Sequence, residues 1–501
     1  MVIVDVLYTS TNTNQHPKGR RNMGWASDEF DEVDLGDKRL DARLVKLCDS
    51  FSEAPESPIN QACEDWAETK AAYRFFQNEN VDAVKIMAAH RGKTSVRAAN
   101  HRTVLALQDT SYFIYTSHPK TKGLGEISLK KGKNMDKIYS NGLVMHTCLA
   151  VTAKGTPLGL LDQKIFVRKL RPEHERRSMG GKYIQDVIPV EEKESYRWIE
   201  ALDATAEATA GTQVVTICDR ECDFYDFFKV AEKNGNPVLV RASQNRTINR
   251  GSRYAEKEVD KLWDYIAKQP EAGSYTVEIS AVKQAKHCKG RTARKAEMSI
   301  TFGAFRMNPP RNNPKHKTEI LPDIKMYVVY ALEKDPPEGE DPVEWMLLAN
   351  QPVTTLEEAC ERMRWYSLRW RIEMFFKILK SGFRVEACRL GTADRLMRYL
   401  TLMSIVAWRL FMITMVARTD PTLPCTDFLS EQEWTVLAVK SLRGGILPAT
   451  PPTISEALVW IAKLGGYLAR KSDGPPGTLV LWRGWKRLTD LTEGWCLANQ
   501  P

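Results

Sequence analysis

Residues 213–243 read QVVTICDRECDFYDFFKVAEKNGNPVLVRAS. The apolar run VVTIC predicts a buried strand that ends at Asp219, a helical pattern follows, and PVLVRAS predicts a second strand. Strand, helix and strand in this order indicate an α/β layered domain. Asp219 then lies where α/β sheets expose catalytic groups. An aspartate in this place also caps the next helix in many proteins, and that interpretation remains open.

The sequence on the amino-terminal side adds strands to this domain. TVLALQDTSYFIY, residues 103–115, predicts a strand with Asp109 near its end, where the aspartate is either a site residue or a turn residue. GLVMHTCLAVTAKGTPLGLLDQKIFV, residues 142–167, predicts two strands around a Lys-Gly turn. SYRWIEALDATAEAT, residues 195–209, predicts a helix. We therefore assign residues 101–395 to the α/β domain.

The rest of the chain has different patterns. Residues 244–350 alternate in strand fashion about a basic tip at residues 283–295, which predicts a β insertion within the α/β domain. Residues 26–100 have helical spacing with basic side chains between the apolar ones, and they follow a polar tail, residues 1–25, that we expect to be loose. Residues 396–501 are predicted to form a mainly helical C-terminal domain.

The composition narrows the class of protein. The 501 residues are 43% hydrophobic and 27% charged, as in ordinary globular proteins, and the net charge of +9 favours an acidic partner such as nucleic acid. Ten cysteines without a C-x-x-C pair argue for a reducing compartment. The apolar run at residues 399–417 contains Arg409, so we expect a buried core helix. Together with the absence of a secretory pattern, these features predict a cytoplasmic protein without a membrane partner.

One acid is prominent in YSLRWRIEMFFKILKSG, residues 366–382. At about 100° per residue, an uninterrupted helix places five polar side chains within an arc of roughly 80° beside an apolar stripe. These side chains are Tyr366, Arg369, Glu373, Lys377 and Lys380. Ordinary ion pairs from Glu373 to the cations four residues away are one explanation of the pattern. The other is a carboxylate that holds a metal ion while the neighbouring cations hold phosphates.

The metal explanation requires further acids at the same place. Asp109 and Asp219 are the candidates, since each follows or ends a predicted strand. Three carboxylates suit Mg²⁺ or Mn²⁺ better than Zn²⁺. Two such ions about 4 Å apart can activate a water or a 3′-hydroxyl and stabilise the leaving oxygen in phosphoryl transfer. We therefore predict that Asp109, Asp219 and Glu373 are the catalytic metal ligands.

These motifs, in this order, resemble those of one family. The spacing Y-x-x-R-x-x-x-E-x-x-x-x-x-x-K, filled by Tyr366, Arg369, Glu373 and Lys380, is similar to the signature of the insertion-sequence DDE transposases that include the transposon Tn-five enzyme. LALQDTSY and TICDRECDFYDFF resemble the segments with that family's first and second catalytic aspartates. The likeness extends over most of the chain, including AAYRFFQNENV, VEWMLLANQPV and IAKLGGYLARKSDGPPGTLVLWRGWKRL.

The resemblance implies an RNase H-like catalytic domain with a β-strand insertion, flanked by an N-terminal helical DNA-binding domain and a C-terminal mainly helical dimerisation domain. It implies cut-and-paste transposition of double-stranded DNA, through a nick at the transposon end, a hairpin, opening of the hairpin and joining of the 3′ ends to target DNA. Two Mg²⁺ ions per active site are implied, and Mn²⁺ can substitute. A homodimer would pair two ends, with each protomer binding one end and cleaving the other.

The resemblance also implies DNA contacts at the cleavage site. Tyr366, Arg369 and Lys380 would contact phosphates around a flipped base. Lys377 lies on the same predicted helix face and is a further candidate for a phosphate contact.

Other implied contacts are dispersed along the chain. Trp345 matches a tryptophan that stacks on the flipped base, although a core aromatic residue beside Leu347 is the alternative. Arg241 is at the position of an arginine that touches DNA, and Arg39 and Arg43 match a basic helix that contacts the transposon end.

Two other functions are compatible with the sequence. One is an RNase H-like nuclease that hydrolyses DNA without strand transfer. The other is a non-cutting DNA-binding regulator of transposition, although the intact trio of acids argues against it. The polar tail and the basic tip depart from the family pattern, so the end sequence that the chain recognises is not predicted.

Overall fold

The computed structural model describes residues 24–63, 65–131, 137–168, 188–249, 260–279, 290–310, 320–442, 447–470 and 473–499. Nearly all of the expected loose tail and about half of the basic tip lie outside these residues.

Twelve strands in this part of the chain form one mixed sheet. They are β1 (Thr103–Ile114), β2 (Gly125–Lys131), β3 (Lys137–Thr152), β4 (Pro157–Phe166), β5 (Gln213–Cys218), β6 (Val238–Arg241), β7 (Thr247–Ile248), β8 (Asp260–Lys261), β9 (Gly273–Ile279), β10 (Arg294–Met307), β11 (Ile324–Glu333) and β12 (Glu344–Ala349). The order across the sheet is β2-β3-β1-β5-β6-β12-β11-β10-β7-β8, with β4 beside β3 and β9 beside β10. β1, β5 and β6 pair in parallel at the centre of the sheet.

Helices lie before, between and after these strands. They are α1 (Trp25–Glu29), α2 (Lys38–Glu53), α3 (Ile59–Ala62), α4 (Trp66–Gln77), α5 (Ala83–Ala99), α6 (Arg197–Ala208), α7 (Tyr225–Asn234), α8 (Leu262–Ala267), α9 (Leu356–Ser367), α10 (Trp370–Lys377), α11 (Ala393–Thr419), α12 (Glu431–Ser441), α13 (Ile454–Leu464) and α14 (Thr478–Ala498). The mixed sheet with helical regions on both sides in sequence confirms the predicted α/β class.

The β insertion is continuous with the rest of the mixed sheet. β12 pairs antiparallel with β6, and β11 and β10 follow it across the sheet. Because β12 covers the free edge of β6, the insertion supplies hydrogen bonds that the strand edge would otherwise leave open. The predicted insertion at residues 244–350 is therefore part of the sheet that positions Arg241, the last residue of β6.

The segment 366–382 is not the uninterrupted helix that the sequence predicts. α9 ends before α10 begins, and the backbone N–H groups of Leu368 and Arg369 donate to carbonyls three residues back. After α10 the chain widens into a π-type turn over Ile378–Gly382. Tight and wide turns change the rotation per residue. Angular positions calculated at 100° per residue therefore do not hold across the segment. Tyr366, which the calculation placed on the polar face, is buried.

α11 is the buried helix that the sequence predicts around Arg409. Among the described residues it is the one helix long and apolar enough to cross a membrane, and 83% of its most apolar window is buried inside the protein. Its amino-terminal half packs in the main core, and Ile413 and Val416 pack in a second core with α13 and α14. Arg398 on α11 also donates to backbone carbonyls of Phe76 and Val81. One helix thus contacts all three regions of the chain.

A buried polar network joins the N-terminal helices to the sheet. Glu29 on α1 accepts hydrogen bonds from Arg97, and its Oε1 lies 2.6 Å from Nδ1 of His90. The Leu160 N–H of β4 donates to His90 Nε2 at 2.9 Å, so Nδ1 is the ring nitrogen that donates to Glu29. Arg97 also donates to the Leu158 carbonyl. These contacts fix α1 and α5 against β4.

This network predicts that the protein loses stability as the pH falls. Burial lowers the pKa of His90 below its ordinary 6.5, so below that pH the unfolded chain binds the proton first and the folded state is disfavoured. Burial alone would raise the pKa of Glu29, but His90 and Arg97 outweigh it and hold that pKa at about 2. The contribution of Glu29 to stability is fully present above pH 4.5 and declines as the pH falls towards 2.

Urea unfolding between pH 7.5 and 3.5 measures this dependence. The free energy of unfolding should fall below pH 6.5 and more steeply below pH 4.5. The Glu29→Gln variant should lack the steeper part of the decline. A wild-type free energy of unfolding that stays constant over this range would contradict the assignment.

Candidate active site

Asp109 on β1 and Asp219, the first residue after β5, lie at corresponding positions along two paired strands. The parallel pairing of β1 with β5 has Leu107 and Ile217 as its last partners. Two residues further along are Asp109 and Asp219. Asp109 therefore lies within β1, not near its end as the sequence predicts, because β1 continues to Ile114 in antiparallel pairing with β3.

Glu373 reaches the same place from α10, and Arg369 connects it to Asp109. Arg369 Nη1 lies 3.1 Å from Asp109 Oδ2, and Nη2 donates to Glu373 Oε1. Arg369 and Asp109 are largely buried, whereas the side chain of Glu373 is one-third exposed. The ion pair that the sequence offered as the simpler explanation of Glu373 is thus present, and it forms beside an aspartate from the sheet.

The pKa of Asp109 is set mainly by burial, with smaller effects from its charged neighbours. Burial raises its pKa to about 7, the Arg369 guanidinium opposes that rise, and the charges of Asp219 and Glu373 add to it. A cation placed among the three carboxylates would relieve the repulsion between them. In this structure the guanidinium of Arg369 is the cation that offsets this repulsion at Asp109.

The donor set fits a hard divalent cation. Asp109, Asp219 and Glu373 offer only carboxylate oxygens, which Mg²⁺ and Mn²⁺ prefer. As the side chains stand, no three acidic, histidine or cysteine groups in the described part of the chain are close enough together to hold a metal ion. The cation that Asp109 and Glu373 share is instead the guanidinium of Arg369. A metal ion would take over these oxygens only after that guanidinium moved.

Backbone hydrogen bonds hold both aspartates. The Thr110 N–H donates to Asp109 Oδ1 at 2.8 Å, and the Glu221 N–H donates to Asp219 Oδ1 at 2.9 Å. The second bond caps the short turn that follows β5. The alternative interpretation of Asp219 as a cap is therefore correct for one of its oxygens, while the other oxygen is not used by that cap.

Three predicted DNA contacts lie together beside Arg369. The Tyr366 hydroxyl interacts with the side chains of Arg369 and Arg241. The Trp345 ring meets the Tyr366 ring edge-on, with centroids 5.6 Å apart. Trp345 is half-buried on β12 and packs against the main core, so its alternative role as a core aromatic residue is partly correct.

Two open grooves are lined by predicted DNA contacts, the first by Arg241 and Trp345 and the second by Lys380. The first has a volume of about 400 Å³, and its lining includes Trp345, three arginines and three acids, namely Arg220, Arg241, Arg291, Glu340, Asp341 and Glu344. The second, about 390 Å³, has a basic lining of Lys380, Arg384 and Arg389 beside His118 and Glu386. Lys380 lies over the Phe113 ring at 5.2 Å, and burial lowers its pKa. The second groove is therefore mainly basic and includes Lys380, whereas the first has arginines and acids in equal number and includes Arg241 and Trp345.

The remaining predicted contacts lie apart from the carboxylates. Lys377 is exposed at the end of α10. Arg39 and Arg43 lie on α2, where Arg39 is exposed and pairs with Asp37 at 2.8 Å. The structure does not bring Arg39 or Arg43 into the site, which agrees with a separate role in the N-terminal region.

Sequence reasoning missed three residues of this region. Arg384 and Arg389 follow the signature lysine and line the second groove. Trp370 begins α10 directly after Arg369, and its side chain is 62% exposed. On the uninterrupted helix that the sequence predicts, Trp370 lies about 40° from Tyr366 and outside the apolar stripe. This position could have indicated from sequence that Trp370 is exposed.

Carboxylates from one strand, from the turn after its parallel neighbour and from a helix are the arrangement expected of a phosphoryl-transfer protein of the DDE class. Family models match three successive regions: transposase DNA-binding at residues 22–81, transposase DDE domain at 198–409, and transposase Tn5 dimerisation domain at 405–500. The chain belongs to the Tn5-type DDE transposases. The order of these matches confirms the predicted N-terminal DNA-binding region, central catalytic sheet and C-terminal helical dimerisation region.

Among solved structures, the chain is similar to a piggyBac transposase synaptic complex with hairpin DNA, determined by cryo-electron microscopy. The identity is 8% and the TM-score is 0.32, over 84% of this chain and 58% of that chain. The chain thus spans less than two thirds of that protein's length. A similarity at this level does not bear on function.

Proposed function

We propose that this transposase cuts transposon ends and joins them to target DNA through a nick, a hairpin and hairpin opening. The observation that carries the proposal is the contact of both Asp109 and Glu373 with Arg369, with Asp219 directly after the neighbouring strand β5. Double-stranded DNA is the substrate, and the cytoplasm, where the nucleoid lies, is the compartment in which it acts.

Asp109, Asp219 and Glu373 would hold two Mg²⁺ ions, or Mn²⁺ in their place. When bound, such ions activate the attacking hydroxyl and stabilise the leaving oxygen. Arg369 would neutralise the carboxylates in the free chain and a phosphate in the DNA complex. Its five N–H donors on a planar group suit both partners.

The neighbouring side chains would position the DNA strand. Tyr366 and Lys380, together with the exposed Lys377, would contact phosphates near the scissile bond. Trp345, which is half-buried and lines the first groove, would stack on a base turned out of the duplex. Arg241 would contact the same strand from the first groove.

End recognition and synapsis would use the outer regions of the chain. Arg39 and Arg43 on α2 would contact the phosphates of the transposon end. The dimerisation region would bring two ends together in a homodimer, so that each protomer cleaves the end bound by its partner.

A paired-end substrate tests the proposal. Duplexes that carry the inverted repeats flanking the gene should give, in Mg²⁺, a nicked product, a hairpin and then strands joined to target DNA. Denaturing gels separate these products by length. Hydrolysed ends without joined strands would favour the nuclease that lacks strand transfer. Binding without any nick would favour the non-cutting regulator.

A further inference from the structure

Arg197, the first residue of α6, lies behind the carboxylates and has a side chain only 7% exposed. Its guanidinium donates to three groups from different segments. Nη1 donates to the Glu194 carbonyl at 2.7 Å, Nε to Thr110 Oγ1 at 3.1 Å, and Nη2 to Glu221 Oε2 at 3.0 Å. Arg197 therefore joins β1 to the turn after β5.

The two side chains that Arg197 holds belong to the residues that orient the aspartates. Thr110 donates its main-chain N–H to Asp109 Oδ1, and Glu221 donates its main-chain N–H to Asp219 Oδ1. The Arg197 guanidinium thus binds the side chains of both residues whose backbone N–H groups orient the two aspartates.

His146 adds rigidity to the Thr110 side of this arrangement. Thr110 faces His146 across the antiparallel β1–β3 pair, and its Oγ1 lies 2.9 Å from His146 Nδ1. Because Arg197 can only donate, the Thr110 hydroxyl is able to donate to that nitrogen. The His146 ring is fully buried and meets the Trp198 ring edge-on at 4.6 Å. The Thr110 hydroxyl is therefore held from both sides.

We propose that Arg197 is a positioning residue that sets the separation of Asp109 and Asp219, and thereby the affinity of the site for divalent cations. This inference rests on the proposed function, because it assumes that these aspartates bind metal. Arg197 binds Thr110 and Glu221, which in turn bind the aspartates, and it lines neither of the two grooves. Lysine keeps the charge of arginine but lacks its planar fork, so it cannot hold three partners in this geometry.

The Arg197→Lys variant tests the proposal in the full chain. The Mg²⁺ concentration for half-maximal nicking should rise about tenfold, while kcat at saturating Mg²⁺ and the Kd for end DNA stay close to wild type. Mn²⁺ binding, measured by electron paramagnetic resonance without turnover, should weaken by a similar factor. An unchanged metal requirement and unchanged Mn²⁺ affinity would overturn the proposal.

Arg97 provides a matched control. Like Arg197, it donates to a carboxylate, a backbone carbonyl and a threonine hydroxyl, namely Glu29, Leu158 and Thr94. Arg97→Lys should lower Tm without changing the metal requirement. An equal change in metal requirement in both variants would show a general loss of order and overturn the specific role.

The threonine keeps the proposal testable if Arg197→Lys does not fold. Thr110→Val removes the hydroxyl at nearly constant shape and should weaken Mn²⁺ binding, whereas Thr110→Ser should restore the wild-type affinity. Equal affinities in these two variants would contradict the proposal. A wild-type chain that shows no metal-dependent nicking refutes the proposed function instead, and the resonance measurement still reports whether Arg197 affects the metal site.

Discussion

Replacement of Glu373 by alanine is expected to lower the rate of end cleavage in Mg²⁺ by a factor on the order of 10³ or more. The change removes one of three carboxylates from the site while Arg369 keeps its contact with Asp109. Since the predicted end-binding residues Arg39 and Arg43 lie on α2, the Kd for end DNA should change less than about threefold. Single-turnover cleavage and gel-shift titration measure the two quantities.

Glu361 on α9 is the control for this loss. It also pairs with a neighbouring arginine, Arg362 at 2.6 Å, but it has no part in the carboxylate group. Glu361→Ala should therefore cleave at the wild-type rate, and Glu373→Gln should be as inactive as Glu373→Ala. Cleavage by Glu373→Ala within tenfold of wild type would exclude Glu373 as a metal ligand.

The second large effect concerns the stability of the dimerisation region. α13 and α14 cross where Gly465 and Gly484 face each other's backbones, and a Cβ on Gly484 would overlap the Ile461 carbonyl. Backbone atoms of two packed helices cannot yield as a side chain can, so Gly484→Ala should destabilise this region by about 3 kcal/mol. Differential scanning calorimetry and the dimer dissociation constant would report the change.

A second glycine on α14 is expected to give a stabilising substitution instead. Gly494 on α14 is exposed, and a Cβ there would meet no atom within 4 Å. Gly494→Ala should stabilise the helix by about 0.5 to 1 kcal/mol, since alanine loses less backbone entropy than glycine. Equal effects of the two substitutions would mean that the helix crossing is not close at Gly484.

The acids of the site could be predicted because each belongs to a local pattern. Asp219 follows a short apolar strand, and Glu373 occupies the polar side of an amphipathic segment. Asp109 was predicted in the right strand but at the wrong place, because the antiparallel partner that extends β1 is far away in sequence. Local patterns thus indicated which acids lie near one another better than where each lies within its element, and their catalytic role stays a prediction.

Contacts between distant segments could not be predicted from the sequence. The bridge from Arg369 to Asp109 joins positions 260 residues apart, and nothing in either motif indicates it. The continuity of the insertion with the sheet depends on the pairing of β12 with β6, which spans about a hundred residues. The turns at both ends of α10 were missed because helix propensity does not report local over-winding or widening.

α11 has a consequence for how this chain can be divided. Its 27 residues extend about 40 Å, and its sides contact the N-terminal helices, the catalytic core and the C-terminal core. The match to the dimerisation region begins at residue 405, inside this helix. A fragment that starts there would expose apolar surface that the other two regions cover. A boundary at residue 405 therefore divides a helix that all three regions share, and fragments for expression are better cut outside Ala393–Thr419.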